Sequence, residues 1–152
     1  MRELRPDPGA PLKTIRIYTD GASRGNPGHA GIGVVIEDDK GVRLNGKVKY
    51  IGMATNNEAE YHALIEGLKA AAEWKPDRLE VYLDSKLVVE QVNGSYRVKK
   101  PALKPLYEQA KQLLGGFDDP VVAHVDREHN KGADALANRA IDEHVKKPKA
   151  PG

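Results

Sequence analysis

The 152-residue chain has no cysteine. Disulfides, cysteine-ligated zinc, iron–sulfur clusters and thiol catalysis are therefore excluded, and the composition fits a reducing compartment. Aromatic residues are also scarce. One Trp, one Phe and six Tyr make up 5% of the chain, so its core has to be aliphatic. No apolar run approaches the roughly 20 residues of a membrane span, and residues 1–13 lack the apolar stretch of a signal peptide. The expectation is a cytoplasmic protein with no membrane partner. A large charge excess is missing too: 24 Lys and Arg against 22 Asp and Glu leave a formal net charge of +2. Any polyanion must then be held by local patches and not by bulk charge. What remains, 39% hydrophobic and 30% charged residues over a length suited to one domain, describes a folded globular chain.

Periodicity divides the chain. Residues 1–13, with Pro6, Pro8 and Pro11, read as a flexible leader, and 146–152 (KKPKAPG) as a basic, disordered tail, leaving one domain over 14–145. Thr14 to Asp20 alternates, with Ile15 and Ile17 on one face and Arg16, Tyr18 and Asp20 on the other, as a strand does. A turn-rich segment, GASRGNPGHAG, separates it from an apolar second strand, Ile32 to Ile36. Asp38 to Gly41 turns the chain into a third strand, Val42 to Ile51. From Asn57 to Trp74 the period becomes helical, with Tyr61, Leu64, Ile65, Leu68, Ala71 and Ala72 on one stripe that stops before Pro76. Strands at Leu79–Leu83 and Val121–Val125 alternate with helices at Ser85–Val92, at about Leu103–Leu114 and through Ala133, Ala137 and Ile141. The expected class is α/β: three antiparallel strands followed by parallel ones, in a five-stranded mixed sheet flanked by helices.

Two strands lead into acids, Asp20 and Asp84, and two helices carry acids near their starts, Glu60 and Asp134. Sites in α/β sheets form at the carboxyl ends of parallel strands, so neighbouring first and fourth strands would bring Asp20 and Asp84 together. Bare carboxylates so placed repel, and a divalent cation removes the conflict. Four oxygen donors, without Cys or a helical His pair, favour Mg²⁺ or Mn²⁺ over zinc. Acids at strand ends and in first helical turns also occur for turn-forming and capping reasons alone.

The flanking residues are Thr19-Asp20-Gly21 followed by Asn26-Pro27-Gly28; Thr55-Asn56-Asn57-Glu58-Ala59-Glu60; Asp84-Ser85; and Asn130 to Asp134 followed by Leu136-Ala137. In this order, over about residues 14–144, the chain resembles the type 1 ribonuclease H family. The resemblance implies the ribonuclease H-like fold, and an endonuclease that hydrolyses the RNA strand of RNA–DNA hybrids to 5′-phosphate and 3′-hydroxyl ends. It implies that Asp20, Glu60, Asp84 and Asp134 are catalytic and hold two Mg²⁺ ions, with Mn²⁺ a substitute, and that Asp20 bridges the pair. It also implies that Asn26, Asn56, Asn57 and the backbone near Ser23 and Gly25 face the RNA strand, while Thr55 touches a DNA phosphate. Only RNA offers 2′-hydroxyls, which amides and backbone groups can read without regard to base sequence. Asn-Pro-Gly and Asn-Asn also make turns and helix caps.

The chain departs from many relatives by lacking a basic, Trp-containing handle. Asn93 to Leu103 is too short for one, yet Arg97, Lys99, Lys100 and Lys104 cluster there, with Tyr96 as a stacking surface. Hybrid binding is expected to be weaker and the chemistry intact; the alternative is a solvated loop. For the auxiliary His that the family often places before the last acid, His129 is the candidate, with Glu128 and Arg127 as rivals. His124, within an alternating strand, reads as structural. The enzyme is expected to act as a monomer.

Overall fold

The computed structural model describes residues 12–146. The alternation that starts at Ile15 builds β1 (Thr14–Gly25), followed by β2 (Gly28–Glu37) and β3 (Arg43–Ala54). Beyond them run α1 (Asn56–Glu73), β4 (Arg78–Leu83), α2 (Lys86–Val92), α3 (Lys104–Leu114), β5 (Val121–His124), a short 3-10 helix (Arg127–Asn130) and α4 (Lys131–Lys146). The sheet order is β3-β2-β1-β4-β5; β2 runs antiparallel to both β1 and β3, and β4 runs parallel to both β1 and β5. This is the expected mixed five-stranded α/β sheet.

The segment after Asp20 differs from the expectation. Read as a turn-rich linker, it is mostly strand: Asp20 to Gly25 pair with Gly33 to Gly28, leaving Asn26 and Pro27 as the turn. Its glycines serve close packing more than turning. A Cβ on Gly21 would lie 2.2 Å from the Ala59 backbone in α1, and one on Gly33 would lie 2.2 Å from the Ala133 carbonyl in α4. Each helix thus rests on a stretch of sheet without side chains, a common use of glycine inside a strand. Asp20 is consequently not at a strand end. It stands where β1 stops pairing with β4, at Thr19 opposite Leu83, and continues against β2 alone.

The two faces of the sheet are covered differently. Ile15, Ile17, Ile32, Val34 and Ile36 point towards α1 and join Leu64, Leu68, Leu79, Val81 and Leu83 in the main core. Tyr61 is the one aromatic among the fully buried residues described, and its hydroxyl donates to Gln91 Oε1 at 2.7 Å, tying α1 to α2. On the opposite face α4 lies across β2, β1 and β3. Lys13, expected in the leader, belongs to the fold: its N–H donates to Asp77 Oδ2 at 2.8 Å, and its carbonyl accepts from Arg78 N at 3.1 Å. The rest of the leader apart from Leu12, and the tail beyond Lys146, lie outside the described residues.

Candidate active site

The parallel register of β1 and β4 brings Asp20 and Asp84 to one place, because each follows the last residue of the same pair, Thr19 and Leu83. Glu60 reaches them from α1. It sits in the second turn, not the first, because the helix begins at Asn56. One carboxylate oxygen from each of Asp20, Glu60 and Asp84 lies within 4.8 Å of the others. Glu60 Oε1 accepts from Gly21 N at 2.6 Å, so the glycine that admits α1 to the sheet also anchors the acid that α1 carries.

Two of these acids are buried: Asp20 is 5% and Glu60 9% exposed. Burial, then the charges of Glu60 and Asp84, push the Asp20 carboxyl up to about 10. Burial pushes Glu60 up to about 8, against the N–H of Gly21, which favours its charged form. Carboxylates that resist ionisation together, in a cluster that among the described residues offers only oxygen donors, suit a small hard dication better than any softer metal. By this test the residues fit Mg²⁺ or Mn²⁺.

Asp134, exposed in the first turn of α4, stands outside the cluster that the other three acids form, and it adds to the upward push on Asp20. Gly33 is the cross-strand partner of Asp20 and also the floor on which Ala133 rests. That contact lets α4 approach closely enough to present the fourth acid. Asn130, 1% exposed, fastens the same end by donating from Nδ2 to the Thr19 carbonyl at 3.0 Å.

The proposed substrate residues gather in part. Asn26, Thr55, Asn56, Asn57, Glu58 and Lys100 line a groove of about 240 Å³. Asn26 Oδ1 accepts from Asn56 N at 3.2 Å, which leaves its NH₂ to face outward. Thr55 caps α1: its hydroxyl accepts from Glu58 N at 3.2 Å while Glu58 Oε1 accepts from Thr55 N at 2.8 Å. Ser23 Oγ turns inward to the backbone carbonyls of Gly25 and Ala54. Tyr96, Arg97 and Lys99 are exposed, but none of the three lines the groove. His129 is exposed and hydrogen-bonded through Nδ1 to Asp126, while its rival Glu128 is paired with Lys131 at 3.0 Å. His124 ends β5 exposed, not packed as expected.

A family model described as "Reverse transcriptase-like" matches residues 18–140. The ribonuclease HI of Halobacterium salinarum is 45% identical over 141 residues, which is 92% of this chain and 69% of that protein. The chain belongs to the ribonuclease H family. The crystal structure of the Halobacterium salinarum RNase H1 superposes with a TM-score of 0.83, covering 86% of this chain and 98% of that one. LC11-RNase H1 in complex with an RNA/DNA hybrid gives 0.82 at 44% identity, over 87% of this chain and 99% of that one. The bifunctional protein Rv2228c of Mycobacterium tuberculosis is 46% identical over 129 residues, 84% of this chain and 35% of its own length, so the chain spans about a third of that relative.

Within this ribonuclease H chain, sequence reasoning missed the supporting residues. Gly31 and Gly33 lie in an apolar strand, where a G-x-G spacing does signal close backbone approach. Arg24 and Asn138 left no comparable trace, because they come together from positions more than a hundred residues apart.

Proposed function

We propose that this chain is an endonuclease that hydrolyses the RNA strand of RNA–DNA hybrids, leaving 5′-phosphate and 3′-hydroxyl ends, with two divalent ions held by Asp20, Glu60, Asp84 and Asp134. The observation that carries the reading is the cluster of acids at the Asp20 edge, two of them buried, on the fold of the ribonuclease H family. The solved relative LC11-RNase H1, bound to an RNA/DNA hybrid, supports the choice of substrate. When bound, the ions offset the charge of the carboxylates and of the scissile phosphate and acidify an attacking water.

The chain's own groups do the rest. Gly21 N–H holds Glu60 Oε1 and leaves the second oxygen for a cation. The outward NH₂ of Asn26 and the amides of Asn56 and Asn57 read 2′-hydroxyls, and Lys100 at the groove wall neutralises a phosphate. Thr55 keeps its cap and touches a DNA phosphate at the start of α1, while the backbone near Ser23 and Gly25 faces the RNA. Tyr96, Arg97 and Lys99 supplement the grip from the adjoining loop. His129, with Nδ1 on Asp126, has Nε2 free to move a proton as product leaves.

The test is incubation with labelled RNA–DNA hybrid, double-stranded RNA and double-stranded DNA, each with Mg²⁺, Mn²⁺ or EDTA. Cleavage confined to the RNA of the hybrid, and abolished by EDTA, is expected. Equal cleavage of all three, or cleavage of none while the hybrid is bound, would overturn the proposal.

A further inference from the structure

Asp20 and Arg24 occupy the same face of β1, four residues apart, and α4 carries Asp134, Asn138 and Asp142 at intervals of four. Four strand residues advance about 13 Å and eight helical residues about 12 Å, so the two rows keep step. At one end Asp134 follows Ala133, which packs on Gly33, the cross-strand partner of Asp20. At the other, Arg24 Nη2 pairs with Asp142 Oδ1 at 2.7 Å. Asn138 stands between them. Its Oδ1 accepts from Arg24 Nη2 at 3.4 Å, and its Nδ2 donates to Asp134 Oδ1 at 3.3 Å and to the Asp134 carbonyl at 3.0 Å.

The chemistry of the three groups allows one orientation of the amide. A guanidinium only donates and a carboxylate only accepts, so the Asn138 oxygen must face Arg24 and its NH₂ must face Asp134. The consequence falls on Asp134, which is exposed, whereas Glu60 is buried and held by a backbone N–H. An exposed carboxylate left alone samples several rotamers. Fixing Oδ1 on Asn138 restricts the group and leaves Oδ2 for a cation. We propose that Asn138, oriented by Arg24, is the positioning residue that holds Asp134 ready for a divalent ion. The inference rests on reading Asp134 as a ligand.

The test is calorimetric titration of the whole chain with Mn²⁺, without nucleic acid, for the wild type, Asp134→Asn, Asn138→Ala, Arg24→Ala and the Arg24→Ala/Asn138→Ala double variant, each with its melting temperature. Hydrogen-bond partners of metal-ligating side chains are typically worth about 10- to 100-fold in affinity. Asn138→Ala should weaken Mn²⁺ binding about tenfold while melting near the wild type, and the double variant should bind no more weakly than Asn138→Ala. Wild-type affinity in Asn138→Ala, with Asp134→Asn weakened, would overturn the positioning role and leave the ligand reading intact. Wild-type affinity in Asp134→Asn would overturn the ligand reading itself. A lower melting temperature without a change in affinity would make Asn138 merely structural, and additive losses in the double variant would break the link to Arg24.

Discussion

Asp20 and Glu60 are acids that the folded chain prefers to keep protonated. Their carboxyls are pushed up to about 10 and about 8 from ordinary values of 3.8 and 4.5. Between roughly pH 4 and the raised values the folded state therefore binds more protons than the unfolded one, so stability falls as pH rises through that window. The metal-free protein in EDTA should melt at a progressively lower temperature from pH 5 to pH 9. Mg²⁺ should raise the melting temperature most at the alkaline end, where protons no longer offset the charge of the carboxylates. A flat profile in EDTA would contradict the burial and mutual repulsion assigned to these acids. Glu58 behaves oppositely: N–H and hydroxyl groups of Thr55 hold it below its ordinary value, so its contribution is lost only as pH falls below the usual carboxylate range. At this scale the three acids that gather, Asp20, Glu60 and Asp84, were legible because each sits in a distinctive run of neighbours. Asn138 was not, because an Asn four residues after an Asp on a helix is unremarkable until a distant Arg fixes which way its amide points.

Among the elements, β1, β2 and α4 decide the site's geometry. The order of strands and helices could be read from periodicity, since aliphatic residues alternate in the strands and recur every three or four positions in α1 and α4. The length of β1 could not. Gly21 and Gly25, and Gly28 opposite, look like turn residues in sequence, and only the approach of α1 shows that Gly21 makes room for a helix. The Gly33→Ala variant should act through α4. Its Cβ would meet Ala133 O at 2.2 Å and Ala137 N at 2.6 Å, both helix backbone, which cannot swing aside as a side chain can. The helix should lift, at a cost of about 1–3 kcal/mol for overpacking, and carry Asp134 away from Asp20. Denaturant unfolding should show the loss of stability, and Mg²⁺ should restore less of it than in the wild type. Full activity with unchanged stability would show that α4 adjusts without moving its acid.

For the molecule as a whole, the small net charge of +2 hides a division of labour. Acids gather at the Asp20 edge, and bases stand on the short connection between α2 and α3, where Lys100 reaches the groove wall beside Asn56 and Asn57. That connection was legible in the sequence as a basic loop too short for a handle. Which of its bases face the groove depends on the anchoring of Val98 and Leu103 against the core, which is tertiary information. Replacing Arg97, Lys99 and Lys100 by Ala should raise the Michaelis constant for hybrid and flatten its salt dependence, by up to about one unit of log–log slope for each phosphate no longer neutralised. An unchanged slope would make the loop a solvated surface. The most direct measurement of the central claim is single-turnover cleavage of an end-labelled RNA–DNA hybrid by the wild type and by Asp20→Asn, in Mg²⁺ and in EDTA, with folding checked by circular dichroism. The wild type should cut the RNA strand only with Mg²⁺, and a folded Asp20→Asn should be slower by roughly three orders of magnitude or more, as when an essential catalytic group is removed. Cleavage by Asp20→Asn at the wild-type rate, or by the wild type in EDTA, would contradict a metal-dependent site built on these carboxylates.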